Sequence, residues 1–257
     1  MRLEGKVALV TGGTRSIGRG ISLALAREGA KVAMNYVNDE EAAEWTLNKF
    51  AAMGWDGMAI KADVGETDQC RELVKKANEA FGHVDLFISN AAIGQKHSII
   101  ECPDEEWDRV MNVNVRATFA LARELMPGMI ERQFGRVVVI SSNAATTGIA
   151  GAAFVPYGTS KAAIIALAKG IAHEGAPYIT ANAVCPGGTH RTTSEERGED
   201  WPPPISYEKR AWLGRPVLLN RLATPEDVAE TVLFLVSDSG CYINGQTIHV
   251  SGGQIMP

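Results

Sequence analysis

The chain has 257 residues, 46% hydrophobic and 21% charged, a composition that excludes disordered, collagen-like and disulfide-scaffold classes. This exceeds the usual allowance of about 150 residues per domain, but α/β folds often run this long as one unit, so a single domain over residues 1–257 is expected. With 25 Lys plus Arg against 30 Asp plus Glu, the net charge is −5, the wrong sign for covering nucleic-acid phosphates.

Cys70, Cys102, Cys185 and Cys241 are scattered without a Cys-x-x-Cys, which suggests neither a zinc knuckle nor a disulfide framework and fits a reducing cytoplasm. No apolar run approaches the roughly 18 residues that cross a bilayer, and Met1 to Lys6 contains no signal-peptide core. The expectation is a cytoplasmic protein whose partners are small molecules rather than nucleic acid or membrane. The five histidines, at 83, 97, 173, 190 and 249, show no metal-ligand spacing, so no metal is expected.

In chain order, apolar runs of strand length cover Val7 to Val10, Lys31 to Met34, Met58 to Ile60, Val84 to Ser89, Arg136 to Ile140, Ile179 to Val184 and Gln246 to Val250. They lack strict alternation, as strands covered on both faces do. Helical periods lie between them: Ile17 to Arg27 with Ile17, Ile21 and Leu25 on one stripe, and Cys70 to Phe81 with Leu73, Val74, Ala77 and Phe81. Gly29 and Gly82 follow as C-cap glycines. Alternation of this kind predicts an α/β fold: one doubly wound domain with a mostly parallel sheet of about seven strands and helices on both faces. Pro186 to Asn220 breaks the rhythm with Pro202-Pro203-Pro204, acidic residues, several arginines and Trp201, Tyr207 and Trp212. A connection that long is usually functional, so a substrate loop or lid is expected there.

Immediately after the first strand stands Thr11-Gly12-Gly13-Thr14-Arg15-Ser16-Ile17-Gly18, opening a helix. Glycines there let the backbone approach a pyrophosphate, whose charge meets the free N–H groups of the helix start. Taken alone, the pattern fits an ordinary tight turn equally well. Tyr157 and Lys161 are four apart and share a helix face, where an ammonium would stabilise a phenolate and lower the tyrosine pKa toward neutrality, making it an acid or base.

The glycine-rich turn resembles the Thr-Gly-x-x-x-Gly-x-Gly fingerprint of the short-chain dehydrogenase/reductase family, with Ser16 in place of the middle glycine. The resemblance continues along nearly the whole chain through Asp63-Val64, Ser89-Asn90-Ala91-Ala92, Asn112-Val113-Asn114-Val115, Ser141-Ser142, Tyr157-Gly158-Thr159-Ser160-Lys161 and Pro186-Gly187. It implies an oxidoreductase that moves a hydride between a nicotinamide dinucleotide and a secondary alcohol or ketone. The implied catalytic residues are Tyr157 as acid/base, Ser142 on the substrate oxygen, Lys161 on the nicotinamide ribose, and Asn114 anchoring a water relay to Lys161. The Ser142–Tyr157 interval is about two residues longer than the common pattern, leaving Ser141 as a substitute. The implied cofactor contacts are Gly12, Thr14, Arg15, Ser16, Ile17, Gly18, Asn35, Tyr36, Asp63, Val64, Asn90, Ala91, Tyr157, Lys161, Pro186, Gly187 and Thr189. Asp63 would hold the adenine, and backbone groups around Thr189 the carboxamide.

Dehydrogenases of this fold that use NAD place a carboxylate at the end of the second strand. Here Met34-Asn35-Tyr36 has none until Asp39, and Arg15 is placed to pair with a 2′-phosphate, so NADP(H) is favoured, with NAD(H) the alternative. Gln95, Lys96, His97, Asn143 and Arg191 suggest a polar substrate such as a sugar, polyol, hydroxy acid or cyclic diol, while Trp201, Tyr207 and Trp212 could equally make an apolar lid. The wording around Val155-Pro156-Tyr157-Gly158 and Pro186 to Arg191 also resembles the branch that oxidises carboxylated cyclohexadiene diols. A ketoacyl-type carbonyl reductase and a catalytically silent dinucleotide-binding regulatory protein are the alternatives. The family also implies a homotetramer built on helices carrying Trp107, Val110, Phe119, Ile164, Ile165 and Leu167.

Overall fold

The computed structural model of the protein describes residues 1–94, 97–147, 155–193, 196 and 216–256. Seven strands form one sheet: β1 (Val7–Val10), β2 (Lys31–Tyr36), β3 (Gly57–Lys61), β4 (Leu86–Ser89), β5 (Gly135–Ile140), β6 (Ile179–Pro186) and β7 (Thr247–Val250). Their order is β3-β2-β1-β4-β5-β6-β7, and every neighbouring pair is parallel. Among the described residues the α-helices are α1 (Ser16–Arg27), α2 (Glu40–Met53), α3 (Thr67–Phe81), α4 (Asp104–Met111), α5 (Ala117–Glu131), α6 (Ala144–Thr147), α7 (Val155–Gly175) and α8 (Pro225–Val236).

The reason for the layering is visible in the strands. β1, β4 and β5 are buried at every position, so both sheet faces need cover. One core packs residues of α3, α5 and α7, such as Leu73, Leu121 and Ile164, against one face. The other packs Ile21, Leu25, Phe50 and Val232 from α1, α2 and α8 against the opposite face. Gly20 allows α1 to approach α8 closely, because a Cβ there would lie 2.8 Å from the Pro225 ring and 3.0 Å from its carbonyl. Ile164, expected on an outer surface, is instead 1% exposed in the core formed with α3 and α5, and Val110 of α4, expected there too, is fully buried.

The strand order reverses between β1 and β4, which opens a crevice at their C-terminal ends where ligands of such sheets bind. A π-helical segment, Asn112–Arg116, separates α4 from α5 and presents buried Asn114 beside this crevice. Of the expected lid over 186–220, residues 194–195 and 197–215 lie outside the described residues. No helix among the described residues is long and apolar enough to cross a membrane.

Candidate active site

The glycine-rich turn runs from β1 into α1. Gly12 has φ +60°, and a Cβ on Gly18 would collide with the Gly12 carbonyl, so the turn closes as it does only without side chains at these two positions. Thr11 Oγ1 accepts from the backbone N–H groups of Asn90 (2.9 Å) and Ala91 (3.0 Å). Asn90 Nδ2 donates back to the carbonyls of Thr11 (2.9 Å) and Gly12 (3.1 Å), tying the β1 and β4 ends together. No side chain caps the N-terminus of α1, whose N-cap is Arg15 and whose first residue, Ser16, has φ 51°. An uncapped helix start at the crevice, approached through glycine backbone, fits the pyrophosphate of a dinucleotide.

Around this turn the other expected contacts take unequal parts. Asn35 is fully buried; its Oδ1 accepts from Gly12 N (3.3 Å), and its Nδ2 donates to the Ala62 carbonyl (2.8 Å). It therefore braces the turn from beneath rather than facing a ribose. Tyr36 ends β2 half-buried, Ile17 packs partly into the core of the α1 face, and Thr14 is buried. Arg15 is exposed, with Nη1 3.5 Å from Asp39 Oδ2, while Asp39 Oδ1 caps α2 through Ala42 N. Asp63 is gripped: Oδ1 accepts from Gly65 N (2.9 Å) and Oδ2 pairs with Arg109 (2.7 Å), a residue with no sequence signal at this site. Val64 beside it is buried.

At the other end of the crevice, the Ser142 hydroxyl lies close enough to Tyr157 to act on its phenol. Ser141 points away and donates to the Lys161 carbonyl (2.7 Å), so Ser142, not Ser141, meets the tyrosine. Lys161 is 2% exposed; its Nζ donates to the Ile140 carbonyl (2.7 Å) and lies 5.7 Å from the centre of the Tyr157 ring. Burial pulls its pKa down to about 8, against a weaker opposing pull from Cys185. Burial also pushes the Tyr157 phenol up, with the Ser142 contact acting the other way. The tyrosine pKa is thus raised here, contrary to the expected lowering by Lys161, because the ammonium is directed at a backbone carbonyl in a site poor in water.

Asn114 is positioned by its whole side chain. Nδ2 donates to the Ile93 carbonyl and to Ser160 Oγ, both at 2.9 Å, and Oδ1 accepts from Ile93 N at the same distance. Ser160 Oγ in turn donates to the Tyr157 carbonyl (2.7 Å), so the π-helical segment fixes the first turn of α7. Pro186 ends β6, Gly187 N donates to the Val250 carbonyl (3.0 Å), and Thr189 Oγ1 donates to the Gly187 carbonyl (3.0 Å). Arg191 is exposed. Asn143 turns from the crevice toward the chain end, with Oδ1 3.0 Å from His249 Nδ1 and Nδ2 3.4 Å from Gln254 Oε1. His97 pairs with Glu106 of α4 (2.8 Å), and Gln95 and Lys96 lie outside the described residues.

A reversing parallel sheet with this turn and with Ser142, Tyr157 and Lys161 gathered at the same edge defines an oxidoreductase of the dinucleotide-binding α/β class. The chain belongs to the short-chain dehydrogenase/reductase family. A family profile described as "Enoyl-(Acyl carrier protein) reductase" matches residues 12–254. A 3-oxoacyl-[acyl-carrier-protein] reductase FabG of Staphylococcus aureus is 36% identical over 252 residues, 98% of each chain. Versicolorin reductase stcU of Emericella nidulans is 41% identical over 261 residues, covering 98% of this chain and 96% of that one. Among solved structures, a short chain dehydrogenase from Burkholderia cenocepacia in complex with NADP is 34% identical, with TM-score 0.83 over 98% of both chains. A blue fluorescent protein from a metagenomic library in complex with NADPH is 31% identical, with TM-score 0.87 over 100% of both.

Proposed function

We propose that the protein is an NADP(H)-dependent carbonyl reductase that converts an organic ketone to a secondary alcohol. The observation that carries this reading is the meeting of Ser142 and Tyr157 at the crevice, with buried Lys161 Nζ 5.7 Å from the Tyr157 ring centre. NADP(H) is supported by the two neighbours whose complexes contain it, by the lack of a carboxylate on β2, and by Arg15 at the turn. A ketone is supported by the relatives named as reductases. When bound, the reduced nicotinamide supplies the hydride. Tyr157 gives its proton to the carbonyl oxygen, and its raised pKa keeps that proton in place at neutral pH. Ser142 donates a hydrogen bond to the same oxygen, and Lys161 holds positive charge beneath the phenol as the proton leaves.

An apolar substrate, rather than the polar diol or sugar first expected, is supported by exposed apolar side chains on the segments that follow the C-terminal ends of β4 and β6. Ile99 and Ile100, on the loop after β4, are 77% and 92% exposed, and Leu218 and Leu219, on the segment leading to α8, are 63% and 68% exposed. Two of the polar groups on which that expectation rested, Asn143 and His97, are engaged elsewhere. The test follows NADPH absorbance with a panel of aromatic and acyl ketones beside sugars and polyols. Reduction of the apolar ketones is expected, and Tyr157→Phe should lower turnover at least about a hundredfold while NADPH binding stays near normal. Near-normal turnover in that variant would remove Tyr157 from the reaction.

A further inference from the structure

Arg19, on the first turn of α1, is 4% exposed and wholly engaged. Its Nε donates to the Thr14 carbonyl (2.9 Å) and to Thr46 Oγ1 (3.0 Å), and its Nη2 to the Ala42 carbonyl (3.2 Å). The guanidinium also lies 4.3 Å from the centre of the Trp45 ring. These contacts belong to α1, α2 and the glycine-rich turn, and would make Arg19 an ordinary packing residue. One contact does not. Nη1 pairs with Glu196 Oε1 at 2.5 Å, across 177 residues of sequence, on the loop that follows β6. The other carboxylate oxygen of Glu196 accepts from Thr193 N (2.5 Å) and Thr193 Oγ1 (2.7 Å), and Thr193 is fully buried.

A continuous chain of hydrogen bonds therefore runs from the Thr14 carbonyl through Arg19 and Glu196 to the backbone of Thr193. Its two ends belong to the two walls of the crevice: the turn that fits a pyrophosphate, and the loop that begins with Gly187 and Thr189. A planar, five-donor guanidinium can hold this many partners in one fixed geometry, which a lysine cannot.

We propose that Arg19 and Glu196 are a positioning pair that fastens the start of the substrate loop to the glycine-rich turn and so sets the spacing of the dinucleotide cleft. Neither residue is catalytic. The pair acts through Thr14 on one side and Thr193 on the other, and its effect is to order both walls before the dinucleotide arrives. The inference rests on the NADP(H) reading above. Binding to a pre-ordered cleft avoids the cost of ordering the loop at the moment of association.

The test is an equilibrium NADPH titration followed by fluorescence, without ketone, on the full-length protein. Glu196→Gln keeps the size of the side chain and removes its charge; it is expected to weaken NADPH about tenfold, since a charge-assisted hydrogen bond outweighs a neutral one. Thr193→Val removes the hydroxyl on the loop side without touching Arg19, and should weaken NADPH in the same direction by a smaller factor. Combining the two should be no worse than Glu196→Gln alone, because both break one chain. In steady state the ketone KM should rise while kcat stays within about twofold of the unaltered protein. Arg19 itself is too deeply packed to carry the test, and if Glu196→Gln fails to fold, Thr193→Val decides. Unchanged or tighter NADPH binding, including the case where only thermal stability falls, overturns the proposal and leaves the cofactor reading standing. Failure of the unaltered protein to bind NADPH overturns both.

Discussion

Ser16 occupies a position where the backbone turns left-handed, at φ 51°, in the place of the middle glycine of the fingerprint the turn resembles. A Cβ in that region costs on the order of 1 kcal/mol, so the side chain is retained against a conformational penalty. Its hydroxyl stands at the uncapped start of α1, beside the N–H groups that fit a phosphate. Ser16→Gly is therefore expected to leave the unliganded fold at least as stable, and both Ser16→Gly and Ser16→Ala should weaken NADPH several-fold, roughly 1 kcal/mol for one hydrogen bond to an anion. Calorimetric titration of both variants checks this; unchanged affinity in Ser16→Ala would show that the hydroxyl makes no contact. At this scale the sequence was legible where chemistry follows from spacing, as with Tyr157 and Lys161 on one helix face. It was not legible where burial decides. The upward shift of Tyr157, the use of Asn35 and Asn143 as braces, and the Arg109–Asp63 pair all depend on which groups are desolvated and on what lies across the fold.

Helices α1 and α3 were readable because each had local punctuation. Gly29 and Gly82 follow α1 and α3 with φ +93° and +89°, and Thr224-Pro225 opens α8. That opening is a capping box: Thr224 Oγ1 accepts from Asp227 N (3.3 Å), and Asp227 accepts from Thr224 N (2.7 Å). Arg221 holds both oxygens of the same carboxylate, a contact six residues back that no local rule announces. Burial alone would raise the Asp227 pKa, but the Arg221 and Thr224 contacts outweigh it and the net shift is downward. A lowered carboxylate contributes stability above its unfolded pKa and loses that contribution as the pH falls through its folded value. Asp227→Asn should therefore destabilise the protein by about 1 kcal/mol at neutral pH, the usual worth of a cap, with the difference from the unaltered protein shrinking below the ordinary carboxylate range. Denaturant titrations across that pH series decide it, and a difference independent of pH would assign the loss to packing. The π-helical segment at Asn112–Arg116 had no such punctuation, and the ties from Asn114 to Ile93 and Ser160 that hold it run to residues distant in sequence.

For the molecule as a whole, alternation of strand and helix fixed the class of sheet, and right-handed crossovers then place helices on both faces. Which of those helices remain open to a partner was the less legible part, because an apolar residue on a helix can belong to the core or to an interface. Trp107 of α4 and Phe119 of α5 are 37% and 49% exposed, with the Arg123 guanidinium 5.2 Å from the Phe119 ring. Phe234 of α8 and Tyr242 beyond it are 40% and 100% exposed. Two self-complementary apolar surfaces on one chain would generate a closed tetramer with perpendicular two-fold axes, and these two pairs of residues are the candidates for them. A homotetramer is therefore expected, and breaking one patch should leave the other intact. Phe119→Glu and Phe234→Glu should each yield a dimer rather than a monomer, and the double variant a monomer, because a charge buried in an apolar contact has no partner there. Light scattering at micromolar protein concentration reads the three states directly. A monomer in the unaltered protein would remove the tetramer, and tetramers surviving in both single variants would move its interfaces to other surfaces.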